Sequence, residues 1–236
     1  MWICPLAVSF LALATACKLP LLDTPKPQQS QPIASSPVPK LTRSVKPTPT
    51  SKFSQIEREI ITEMNLARSN PSGYRQVMLA WRGKFEGNRV RLSDRLYLQT
   101  KEGTPAVDEA IQFLQKTRPV GKLTYSKGLS LAARDHVRDQ GIKGTTGHNS
   151  SNGNTPFQRM ERYGKWLQTA GENIAYGPDT ARAVVRDLII DDGVADRGHR
   201  TNMFKPEFRV TGVACGYHRQ YRVMCDIKYA GGFSDR

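Results

Sequence analysis

The chain is short of the residues that most often announce a chemistry. Of its 236 residues only four are His and four are Cys. No His-Glu-x-x-His helix is present, so a zinc-protease helix is excluded. No Gly-x-Ser-x-Gly elbow is present, which removes the usual serine-hydrolase signature. No run of Lys and Arg is interleaved with aromatic residues, so nucleic acid is not an expected partner. The one long apolar run, Leu6 to Leu13, is too short to span a bilayer.

That run is instead read as part of an export signal over residues 1–17. Trp2 to Ala16 is uncharged, and Ala14-Thr15-Ala16 supplies small residues for cleavage. Cys17 follows directly, as in a bacterial lipobox, although Ala stands where Leu is favoured and the first residues lack Lys or Arg. Cys4 would leave with the signal. Cys17, Cys215 and Cys225 remain, an odd number. Lipidation of Cys17 would account for the odd one, giving an exported protein anchored to the cell envelope; plain secretion is the alternative.

Residues 18–53 form a linker. Eight of the fifteen prolines fall in 18–52, with six Lys or Arg against one Asp. Little here can pack, and Pro withholds backbone donors. The whole chain carries a net charge of +14. An anionic envelope surface is therefore the expected partner of this basic segment.

A folded domain is expected over 54–236. Ser54 and Glu57 read as a capping box, followed by Ile56, Ile60, Met64 and Ala67 at helical spacing. Asn70-Pro71 ends that helix. Residues 72–120 read as a largely helical insertion, with a helix from Thr104-Pro105. A further helix buries Leu129, Ala132, Ala133, His136 and Val137, where His136 reads as a hydrogen-bonded core residue. Thr155 to Gln158 is a capping box whose short helix stops at Gly164. Another helix starts near Asp179-Thr180 and buries Val184 and Leu188. The tail reads as an antiparallel hairpin turning at Gln220. One register sets Val213 against Ile227, Tyr217 against Val223 and Cys215 against Cys225, close enough for a disulfide.

His148 and His199 each follow a Gly and bracket Glu172. Two imidazoles with carboxylates suit either a divalent metal or acid–base chemistry. Asn65-x-x-Arg68, Leu123 to Ala133, Gly147-His148, Gly171-Glu172-Asn173-Ile174, Gly198-His199-Arg200 with Asn202, and Gly212-Val213 to Gly216 follow in order. This series resembles the CAP superfamily of cysteine-rich secretory, antigen 5 and pathogenesis-related proteins, in its bacterial form.

The resemblance implies an α+β fold, a three-layer α-β-α sandwich, with a cleft lined by His148, Glu172, Asp191 and His199. The fourth position is usually Glu; Asp191 is taken for it because it shares the phase of Val184 and Leu188, with Asp192 turned away. Zn²⁺ or a similar ion on His148 and His199 is one expectation, with Glu172 either orienting a ring or pinning its own loop. The function expected is a ligand- or partner-binding module, taking an apolar small molecule or a protein and not assigned a reaction. The alternatives are a metal-assisted envelope hydrolase with Glu172 as base, and a basic, envelope-adhering structural protein. A Ser–His–Glu grouping through Ser150 or Ser151, and an apolar groove walled by Tyr163, Trp166, Tyr176 and Phe204, are weaker readings.

Overall fold

The computed structural model describes residues 52–236. The signal segment, Cys17 and the linker up to residue 51 lie outside the described residues. No helix among the described residues is long and apolar enough to cross a membrane.

Helix α1 spans Lys52–Ser69 and α2 Pro71–Arg82. Asn70 divides them: it caps α2 by accepting from the amide of Gly73, and Pro71 takes the first turn, where its missing N–H costs nothing. The start of α1 differs from the capping box expected at Ser54. The helix already runs at Lys52, and Glu57 reaches out of it. Its carboxylate accepts from the amide of Cys215 at 3.0 Å and pairs with Arg134 at 3.3 Å, joining the helix to the sheet.

The segment 72–120 is less helical than its periodicity suggests. Between α2 and α3 (Thr104–Lys116) runs a small antiparallel meander of β1 (Phe85–Glu86), β2 (Arg89–Ser93) and β3 (Leu96–Gln99). Its strands are short and mostly exposed, so the apolar alternation that marks a core strand is missing.

Strand β4 (Thr124–Tyr125) leads into α4 (Lys127–Lys143), capped by Ser126 and closed by Gly144 at φ 71°. Helix α5 (Pro156–Glu161) has the expected reciprocal capping box of Thr155 and Gln158. It does not end on a left-handed Gly164. Arg162 follows it in right-handed geometry, and Gly164 opens strand β5 (Gly164–Tyr176). An added Cβ there would lie 2.3 Å from the carbonyl of Ser234, so close strand packing is what requires this glycine. Helices α6 (Ala181–Ile190) and α7 (Gly198–Phe204) precede the hairpin of β6 (Val210–His218) and β7 (Arg222–Asp235).

The second sheet has the order β4-β6-β7-β5. The hairpin has the expected register: Val213 opposes Ile227, Tyr217 opposes Val223, and Cys215 opposes Cys225, with which it forms a disulfide. Successive side chains leave a strand on opposite faces. Val213, Cys225, Ile227 and Tyr229 pack into the core shared with α1, α3, α6 and α7. Ala214, Met224 and Ala230 pack on the other side with α4 and α5. Helices therefore cover both faces, the three-layer α-β-α arrangement of an α+β fold. Helix α4 lies against the sheet so closely that a Cβ on Gly212 would fall 2.2 Å from the amide of Ser130.

Double coverage also decides the surroundings of two charges. Asp226 and Lys228 alternate with the apolar residues of β7. Both are fully buried, because α4 and α5 cover that face too.

Candidate functional site

Strand β5 puts Glu172 and Asn173 on opposite faces of the sheet, and each residue secures one half of the site. On the α4 side, Nδ1 of His148 lies 2.6 Å from Oε1 of Glu172. His148 sits in the loop between α4 and α5. The other oxygen of Glu172 accepts from Arg159 at 2.7 Å and from Lys228 in a close contact. Arg159 also donates to the carbonyls of His148 and Asn154, each at 2.9 Å, and to Ser150 Oγ at 3.0 Å. One buried guanidinium thus fixes the loop, the carboxylate and the ring's anchor together.

Behind Glu172 the Lys228 ammonium also bonds Asp226 at 2.7 Å. Burial pushes Lys228 well down and Asp226 well up, each toward its neutral form. The sum of charge over Arg159, Lys228, Glu172 and Asp226 is zero whether that pair is charged or neutral. His136 Nε2 donates to the Gly147 carbonyl, 2.9 Å away, the hydrogen-bonded core role expected of it. Burial, with Arg159 nearby, lowers His136 to about 3 and keeps it neutral. One ligand atom each from His136, Glu172 and Asp226 falls within 4.8 Å of the others. This triad does not suit a metal, because Lys228 already places a cationic group against two of its members.

On the other face, Asn173 donates to the carbonyl of His199 at 2.9 Å and accepts from Asn202 at 3.0 Å. His199 opens α7. Its Nδ1 lies 2.6 Å from Asp191 Oδ1, and its amide donates to Asp191 Oδ2 at 2.9 Å. Asp191 gets there by a route other than helical phase. It is the residue just past α6, in left-handed geometry (φ 59°), which swings its carboxylate toward α7. Asp192 points elsewhere and accepts from the amides of Lys101 and Glu102, each at 2.7 Å.

The four residues named from the sequence thus form two imidazole–carboxylate pairs. Both carboxylates are buried, with side chains 2% and 3% exposed, while the rings of His148 and His199 are 54% and 25% exposed. The pairs therefore present rings to solvent and hide acids. Desolvation, helped by the charge His199 would carry, lowers His148 and favours its neutral form. Glu172 reaches the cleft only through His148. The imagined Ser–His–Glu grouping is not assembled, since Ser150 serves Arg159 and Ser151 is bonded to Asp139.

The segment 72–120 walls one side of the site. A cavity of about 300 Å³ lies beside His199 and Asp191, lined by Trp81, Phe85, Leu98, Val107, Leu188 and Ile190 among others. Arg197 locks this wall to the His199 loop. It bonds Glu102, Glu109 and the carbonyls of Asp191 and Val194, and Arg200 joins Glu109 to the end of α6. The four aromatics expected as a groove do not meet. Phe204 packs on Phe113, Trp166 on Phe157, Tyr163 bonds Asp135, and Tyr176 alone lines the cavity.

Sequence reasoning missed Arg159, Lys228, Asp226 and Arg197. The one signal that could have found the first three is two-sided burial of the sheet, which makes every charge on it a paired one.

A family model, described as the cysteine-rich secretory protein family, CAP, matches residues 66–227. The chain belongs to the CAP family. The match contains both histidines, both carboxylates and the whole insertion. Among curated proteins, the CAP chain is 35% identical over 91 residues to the uncharacterized protein YkwD of Bacillus subtilis (strain 168), covering 39% of this chain and 34% of that one. It thus spans about a third of that relative's length. An extracellular SCP-domain protein of Bacillus anthracis is 21% identical with a TM-score of 0.36, over 47% of this chain and 34% of that chain. An outer surface protein of Borrelia burgdorferi is 14% identical with a TM-score of 0.41, over 64% of this chain and 100% of that chain.

Proposed function

We propose that this CAP protein is an exported, envelope-tethered binding module whose cleft takes its ligand with the help of a divalent metal on His148 and His199. One observation carries the reading: each ring has its Nδ1 committed to a buried carboxylate. That fixes the tautomer and leaves Nε2 as the free nitrogen of both. Neutral imidazoles with carboxylate support suit Zn²⁺ and similar borderline ions. When bound, such an ion supplies Lewis acidity and open positions for a ligand's oxygen or nitrogen.

The residues of the chain do the rest. Glu172 and Asp191 orient the rings, Arg159 and Asn173 hold the two loops in place, and the apolar wall of the insertion excludes water beside His199. Export is supported by the leader-like residues 1–17 and by a disulfide, which needs an oxidising compartment. Tethering is supported by the position of Cys17 after Ala14-Thr15-Ala16, and the basic linker suits an anionic surface.

Calorimetric titration of the intact chain with Zn²⁺ at pH 7.5 tests the metal. Stoichiometric binding is expected, abolished in His148→Ala/His199→Ala and weakened about 10- to 100-fold in Glu172→Gln. Equal binding by the parent and the double variant would sink the proposal. Affinity should fall in acid, where protons compete with the metal for the ring nitrogens.

A further inference from the structure

Several large apolar side chains that lie open on the surface gather in the inserted meander. Leu92, Leu96, Tyr97 and Leu98 are 45%, 57%, 37% and 44% exposed, and all four residues of β3 are open. Only Val90 of the neighbouring strand is buried. Around these side chains stand Lys84, Arg89, Arg91, Arg95 and Lys101, against Glu86 and Asp94 near the turn and Glu102 and Asp192 at the far end beside Lys101. Arg91 pairs with Asp94 at 3.1 Å and approaches Glu86, and Arg89 lies over the Tyr97 ring at 5.6 Å. Arg95 forms no ion pair among the described residues.

From this we infer that the meander is a membrane-docking element, which presses its turn, residues 92–98, into the interface of an anionic lipid bilayer. The charge fits an anionic lipid headgroup layer. Leucines at the turn are the side chains that gain by entering the acyl boundary, and Arg and Tyr are those that stay at headgroup level. Strand register favours a membrane over a protein strand added to β3. Leu98 opposes Val90 and Tyr97 opposes Arg91, so the exposed Leu98 and Tyr97 leave opposite faces of the meander. An added strand would cover one edge, whereas an interface receives both faces of a turn.

Docking there has a further effect on the cleft. Leu98 lines the cavity beside His199, so a docked meander would hold that cavity at the level of the headgroups. The inference does not depend on metal binding or on the acylation of Cys17.

The test uses the full chain in a Cys17→Ser background, so that no acyl group anchors it. Partition onto vesicles of equal parts phosphatidylcholine and phosphatidylglycerol is measured by co-sedimentation. Leu92→Ser/Leu96→Ser is expected to lose at least about tenfold in partition. Arg91→Gln/Arg95→Gln is expected to lose binding to these vesicles at low salt, where screening is weak. A Leu96→Trp reporter should shift its emission to the blue on anionic vesicles. Because these side chains are exposed, the variants should melt like the parent. Unchanged partition of the leucine variant would overturn the inference and leave the linker as the lipid contact. Concentration-dependent dimerisation abolished by that variant, with vesicle binding intact, would also overturn it and make the face a contact between copies.

Discussion

His148 and His199 each rest on a buried carboxylate at 2.6 Å, yet the two halves of the cleft are held by different means. The His148 half depends on charge. Arg159 and Lys228, from α5 and β7, converge on Glu172, while His136 Nδ1, Arg159 Nε and Asp226 Oδ1 stay buried without a partner. The His199 half depends on backbone shape. Asp191 and Arg197 both adopt left-handed geometry, at φ 59° and 51°, and the loop between them is tied to an added segment by surface-facing ion pairs. The first arrangement belongs to the sheet and fails with the fold. The second belongs to a loop and can loosen alone.

The largest expected effect comes from breaking the charged half. Arg159→Ala takes one of two buried cations from Glu172, leaving Lys228, and removes the loop's carbonyl contacts, at a cost of about 3 kcal/mol in urea unfolding. A loss below about 1 kcal/mol would mean that the ion network is incidental. Arg197→Ala should cost less, about 2 kcal/mol, and act locally. Hydrogen exchange should quicken at Lys101, Glu102 and Gly193 while β5 and β7 stay protected; quickening throughout the sheet would erase the contrast between the halves.

Titration also separates the halves, by pH window. His136, in the charged half, is lowered from 6.5 to about 3, so its contribution is complete above pH 6.5 and is lost as pH falls toward 3. The slope from this one group is at most about 1.4 kcal/mol per pH unit. Glu102, in the insertion latch, is lowered from 4.5 to about 2 by its bonds to Arg197 and Gly193. Its contribution is complete above pH 4.5 and fades toward 2. His136→Gln should flatten the upper window of a stability–pH curve, and Glu102→Gln the lower one. If either variant flattened both windows, the halves would be coupled.

The parts of the fold that the sequence disclosed are those with local causes. The Thr155–Gln158 capping box, the cap at Thr180 and the hairpin register all follow from neighbours in the chain, and the structure has them. The family motifs also led to His148, Glu172, Asp191 and His199, which the structure brings together in pairs. The rest has distant causes. Nothing near Lys228 shows that α4 and α5 will roof it. Nothing near Arg197 shows that Glu102 and Glu109 will meet it. The start of α1 at Lys52 and the strand role of Gly164 depend on packing rather than on caps. The meander lacks the buried alternation by which strands are recognised.

Glu172 and Asn173 are neighbours in the chain that serve opposite sides of one strand. The two loops of the cleft therefore share an anchor, although their supports lie on opposite faces of the sheet. The Asn173 side is walled by the segment between α1 and β4, with α2, the meander and α3, and the Glu172 side by α4 and α5. In an architecture of this kind, a change to one wall of the cleft need not pass through the supports of the other.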